Sequence, residues 1–89
     1  MIAIPFNAQT IKGKVTDEKN APLTYANVVL QTVDSIYVAG TTTDMEGRFE
    51  LALHEKAKLI NISFVGYSTI IKEISQYDLG IIQLNLRKY

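Results

Sequence analysis

Thr41-Thr42-Thr43-Asp44-Met45-Glu46-Gly47-Arg48-Phe49-Glu50-Leu51 decides the fold: a β-branched run, a polar turn with one glycine, then alternating apolar and charged residues. Branching at Cβ restricts χ1 and suits a pleated surface, so the three threonines favour extended backbone. Asp44 is placed to accept hydrogen bonds from N–H groups a few residues on, which starts a turn. Gly47 takes φ > 0 without a Cβ clash. Phe49, Leu51 and Leu53 then alternate with Arg48, Glu50 and Ala52, so period two buries the first set and wets the second. The stretch spells a β-hairpin, with a type I turn closed by a left-handed glycine. The rival reading makes Asp44 and Glu46 calcium ligands, but a calcium loop surrounds its ion with more oxygens than these supply.

The same grammar extends both ways. Ile11, Gly13 and Val15 alternate with Lys12, Lys14 and Thr16 as a first strand, and Pro22 bars a central strand in the loop that follows. Tyr25 to Thr32 reads as a second strand, with Ala26, Val28 and Leu30 on one face. After a turn at Asp34-Ser35, Ile36 to Thr43 forms the third, with Gly40 marking a bulge or a close backbone approach. Arg48 to Leu53 is the fourth and Lys58 to Phe64 the fifth, with Ile60, Ile62 and Phe64 inward. Gly66 turns the corner Val65-Gly66-Tyr67. Ser68 to Ile74 is a sixth strand of mixed pattern, and residues 73–79 are long enough for at most one helical turn. Gln76 to Gly80 reads as a loop, and Ile81 to Arg87 as the last strand, with Ile82, Leu84 and Leu86 inward. Short strands with turns every eight to twelve residues define an all-β sandwich or barrel. A seven-stranded β-sandwich shares Val15, Val28, Leu30, Phe49, Leu51, Ile60, Ile62, Phe64 and Leu84 as one core about 10 Å thick.

Eighty-nine residues make one domain with a small stability margin. Nine basic and nine acidic residues balance, which argues against a nucleic-acid surface. The absence of cysteine excludes disulfides, zinc-thiolate sites and thiol catalysis. No stretch approaches the ~20 apolar residues of a membrane-spanning helix. Residues 1–9, Met1-Ile2-Ala3-Ile4-Pro5-Phe6-Asn7-Ala8-Gln9, read as the tail of a secretory signal peptide ahead of a domain at 10–89. The other reading is an N-terminal strand or arm, Ile2 to Phe6, packed on the sheet.

Reactive chemistry is sparse. His54 is the only histidine, and position 58 is Lys where an HExxH zinc motif requires a second His. The serines lack a nucleophile-elbow pattern, and the glycines are too widely spaced for a phosphate loop. No catalytic residue, metal ligand or cofactor site is expected. The tyrosines at 25, 37, 67, 77 and 89 invite comparison with a carbohydrate-stacking platform, in which Tyr37 and Tyr77 are the best exposed contacts. Closure of the sandwich core is the stronger reading for most of them.

Gly13-Lys14-Val15-Thr16-Asp17, Pro22-Leu23, Ala26-Asn27-Val28, Gly40, Thr43-Asp44, Glu46-Gly47-Arg48-Phe49 and Ile62-Ser63-Phe64-Val65-Gly66-Tyr67 follow one another in the order of a known module. From about Ile11 to Leu86 the chain resembles the carboxypeptidase-regulatory-like domain. The resemblance implies a Greek-key sandwich of seven strands, similar to transthyretin (prealbumin), and the residues themselves make Asp44, Gly47 and Gly66 its structural turn residues. It implies a non-catalytic module, exported to the periplasm or the periplasmic face of the outer membrane. Such domains commonly precede the plug of TonB-dependent receptors in Bacteroidetes-type bacteria, so the implied partner is another protein or the plug and barrel of the same parent chain. An edge strand open to β-augmentation is one docking mode. The alternative function is a carbohydrate-binding accessory module of an exported protein.

Overall fold

The computed structural model describes residues 9–88. The leader-or-arm reading of residues 1–9 therefore falls, apart from Gln9, outside the described residues. Seven strands are present: β1 Thr10–Thr16, β2 Asn27–Gln31, β3 Tyr37–Thr42, β4 Arg48–Ala52, β5 Leu59–Ser63, β6 Ile70–Glu73 and β7 Asp78–Gln83. They form a three-stranded sheet, β4-β1-β7, and a four-stranded sheet, β3-β2-β5-β6, packed as a sandwich. There is no helix among the described residues, including 73–79, where β6 ends, a short connection follows and β7 begins.

The alternation of side chains builds the layers. On β2, Val28 and Leu30 face inward, and on β5 Ile60 and Ile62 oppose them in register. From the other sheet, Ile11, Val15, Phe49, Ile82 and Leu84 close the core. Leu23, Ala26 and Ala57 join it from the connecting loops. Two residues expected fully inside, Leu51 and Phe64, are half-buried and pack against the core margin. Gly13 has a packing role: a Cβ there would stand 2.9 Å from Cζ of Phe49, so the glycine makes room for the ring.

Two expectations need correction. The stretch 41–51 is an arch, not a hairpin. β3 lies in one sheet with β2, and β4 lies in the other with β1. The turn chemistry itself is present: Gly47 has φ +77°, Gly47 N–H donates to Asp44 C=O at 2.9 Å, and Asp44 N–H donates to Arg48 C=O at 2.9 Å. The two strands part because Thr43 is anchored in the interior. Its N–H donates to Ala26 C=O, its hydroxyl donates to Leu23 C=O, and it accepts from Ala26 N–H.

The last strand is also displaced. β7 starts at Asp78, inside the expected loop, and stops at Gln83. Gly80, at φ +67°, sits in a register shift between Lys12 and Lys14, which absorbs one residue and lets the strand begin early. Ile82 and Leu84 are buried, whereas Leu86 is exposed and bridges Tyr67 outside the named strands. The remaining strand ends fall within a few residues of their expected bounds. β2 starts after Tyr25, whose φ of +64° breaks the extended run.

Candidate functional site

The polar groups most able to do chemistry are engaged in turns. Asp44 Oδ1 accepts from the N–H groups of Glu46 and Arg48, both at 2.9 Å. The N–H of Arg48, then that of Glu46, and also the Arg48 charge hold its carboxyl below the ordinary 3.8. Asp17 Oδ1 accepts from Lys19 and Ala21 in the same manner, and Asp78 Oδ1 accepts from Gly80. His54 uses Nδ1 to accept from Lys56 N–H at 3.1 Å, while its C=O accepts from Ala57 N–H. No group of three or more His, Asp or Glu among the described residues is arranged to hold a metal ion. Gly66, at φ +86°, turns the β5–β6 corner with open space around it. The Phe64 and Tyr67 rings meet there at 5.8 Å, and burial, followed by the charges of Glu18 and Asp17, raises the Tyr67 phenol above its usual range.

Three surfaces remain. The outer face of the β4-β1-β7 sheet is charged and open: Glu50, Lys12 and Asp78 lie in one row, Arg48, Lys14 and Ile81 in the next. A groove of about 540 Å³ runs across it. A second groove, of about 830 Å³, lies at the end of the sandwich where β1 begins, lined by residues that include Leu53, His54, Lys58, Ile74 and Tyr77. The third surface is the outer face of the β3-β2-β5-β6 sheet. Register places Gly40, Val29, Asn61 and Ile71 in one row, with Gln31, Leu59 and Glu73 beside them. The Tyr37 side chain covers Gly40, its hydroxyl lying 3.3 Å from where a Cβ would stand. The face is thus apolar at Tyr37, Val29, Leu59 and Ile71, with amides between them.

Tyr37 and Tyr77 are both exposed, but they are not brought together. Tyr37 lies over the outer face of the larger sheet, and Tyr77 lines the end groove ahead of β7, in the other sheet. Alternation already sets Val29 opposite Val28 and Leu30, whereas the mixed pattern of 68–74 leaves the face of Ile71 open. Pairing of Asn61 with both Val29 and Ile71 places Ile71 in the same outward row. Tyr25 was not singled out as an exposed contact, yet it is 72% exposed on left-handed backbone.

The described residues thus form a two-layer β module in which Asp17, Asp44 and Asp78 are tied into turns and one sheet face is apolar and uncovered. The chain is a member of the CarboxypepD_reg-like domain family, whose model matches residues 11–88. That membership is consistent with a non-catalytic β-sandwich module. Among solved structures, a 3-chlorocatechol 1,2-dioxygenase from Rhodococcus opacus matches with TM-score 0.61 at 12% identity, over 94% of this chain and 62% of that one. The TIE protein of Bacillus anthracis matches with TM-score 0.58 at 17% identity, over 88% of this chain and 17% of that one. The chain therefore spans less than two thirds of either neighbour, and at these identities the likeness is one of fold. No curated protein matches the sequence.

Proposed function

We propose that this domain is a non-catalytic protein-interaction module of an exported bacterial protein. In the finer form of the reading, it is the periplasmic N-terminal domain of a TonB-dependent outer-membrane transporter or a related β-barrel protein. It docks on the plug of its own parent chain or on a partner protein. Family membership supports the module. The observation that carries docking is the outer face of the larger sheet, where Tyr37 and Ile71 stand exposed beside half-buried Val29 and Leu59. Apolar residues grouped on one sheet face mark an interaction surface more often than scattered ones do.

A photo-crosslinking residue at position 71 in the intact parent protein tests the reading, with the charged-face position 12 as the control. Adducts from position 71 to the remainder of the parent chain, or to one outer-membrane protein, are expected. Equal labelling from position 12, or no protein adduct from position 71, refutes the docking face. Glycan binding lost on both Tyr37→Ala and Tyr77→Ala would replace the reading with a carbohydrate-binding one.

A further inference from the structure

The two outermost strands in sequence set up a mechanical geometry. β1 and β7 are neighbours and run parallel, with Lys12 opposite Asp78, Lys14 opposite Ile81, Val15 opposite Ile82 and Thr16 opposite Gln83. A parallel pair formed by the first and last strands puts the two ends of the described chain at opposite ends of the sandwich. Gln9 lies where β4 stops, its C=O accepting from Leu53 N–H at 3.0 Å. Leu84 to Lys88 leave at the far end. There Leu84 N–H donates to Thr16 C=O, Ser68 N–H to Asn85 C=O, and Arg87 N–H to Gly66 C=O.

Tension between these ends acts along the strands. A pull at Gln9 draws β1 one way, and a pull at Lys88 draws β7 the other way. The inter-strand bonds of the parallel pair are evenly spaced and slant across the strands, and those between β1 and β4 lie perpendicular to them, so both sets meet this load side by side and share it. A pair opened from one end loses its bonds one after another instead. β1 is also the central strand of its sheet, so sliding it breaks the ladder with β4 as well.

Register adds a stop. Phe49 packs against Gly13 with no room for a Cβ, and Gly80 C=O lies 3.2 Å from the same point. A one-residue slip of β1 would bring a lysine, Lys12 or Lys14, to the Gly13 position. A two-residue slip would bring Ile11 or Val15 there, where neither fits. The Gly80 bulge further pins β7 against β1.

We propose that the domain is a load-bearing link. Tension between the chain before Gln9 and the chain after Lys88 is carried in shear by the ladders of β1 with β7 and with β4, and the domain stays folded while it transmits the pull. This role does not depend on which partner the uncovered sheet face meets.

The sequence has no cysteine, so engineered thiols give unique attachment points in the full 89-residue chain. One variant carries Gln9→Cys and Lys88→Cys and is pulled along the strands. A second carries Lys14→Cys and Ile81→Cys, which face each other across the β1–β7 pair, and is pulled across it. Both are unfolded by force spectroscopy at one loading rate, and urea midpoints confirm equal stability. Forced unfolding follows the unfolding barrier and not the equilibrium stability, so the direction of pull decides the result. The expected result is an unfolding force several-fold higher for the Gln9/Lys88 attachment. An equal or lower force overturns the proposal.

Discussion

Gly47 tests whether the arch is built as described, because two separate costs meet there. Its φ of +77° lies in the left-handed region. Any residue with a Cβ is strained in that region by roughly 1–2 kcal/mol. The position is also closed: a Cβ would stand 2.5 Å from Val15 O and 3.1 Å from Cβ of Pro22. The first of these is backbone, and Val15 N–H donates to Gly47 C=O at 2.7 Å, so the neighbour cannot retreat without breaking that bond. Forcing an extra methyl into such a space costs about 1–3 kcal/mol. Loss of unfolded-state freedom on Gly→Ala returns about 0.4–1 kcal/mol. Gly47→Ala should therefore lose about 2–4 kcal/mol.

Gly66 separates the two contributions. It has φ +86° and no atom within 4 Å of a built Cβ, so Gly66→Ala carries the backbone strain alone. Its expected loss is about 0.5–1.5 kcal/mol. Met45, in the same turn as Gly47, is 82% exposed, and Met45→Ala should stay within about 0.5 kcal/mol of the parent. Urea titration of the three variants reads these differences directly. Thermal melts should fall by about 10–30 °C for Gly47→Ala and about 3–10 °C for Gly66→Ala in a domain of this size. Equal losses at the two glycines, or a Gly47→Ala loss below about 0.5 kcal/mol, would show that the turn does not press on Val15.

Thr43→Val leaves Leu23 C=O and Ala26 N–H without their buried partner and should cost about 2–4 kcal/mol, whereas Thr16→Val removes a hydroxyl with no hydrogen-bond partner and should be neutral or stabilising by urea melts. Tyr25→Gly relieves left-handed strain at an exposed position and should raise stability by up to about 1 kcal/mol, read as a higher thermal midpoint. The Asp44 carboxyl is lowered in the folded state, so its contribution is present above pH 3.8 and is lost as pH falls through the lower folded value. Asp44→Asn should therefore flatten the pH dependence of stability below pH 4 without changing it near neutrality, as measured by urea midpoints across pH.

Local chemistry was legible in the sequence, whereas the pairing of strands was less so. The alternation around Val28, Leu30, Ile60 and Ile62 fixed the inward face because a half-buried strand repeats every two residues. Asp44 and Gly47 wrote the turn correctly but not its setting. The same turn can join neighbours in one sheet or carry the chain between sheets, and the difference rests on Thr43, Leu23 and Ala26, up to twenty residues apart. The start of β7 was hidden for a related reason: Asp78 and Gly80 are turn formers, and only pairing with β1 makes them part of a bulged strand. Tyr37 and Tyr77 are both exposed, but their sequence distance carries no information about where on the fold each one lies.

The arch and the parallel terminal strands define the two edges of the smaller sheet, β4 on one side of β1 and β7 on the other. Because β3 turns away to the larger sheet, β4 pairs only with β1 within its own sheet. On the far side of β1 the chain places β7, running in the same direction. A hairpin at 41–51 would instead have paired β3 with β4 and merged the layers at that edge. Thr43 prevents this by satisfying in the interior the backbone groups of Ala26 and Leu23. A buried threonine hydroxyl, worth a few kcal/mol, thereby selects between two topologies with the same turn.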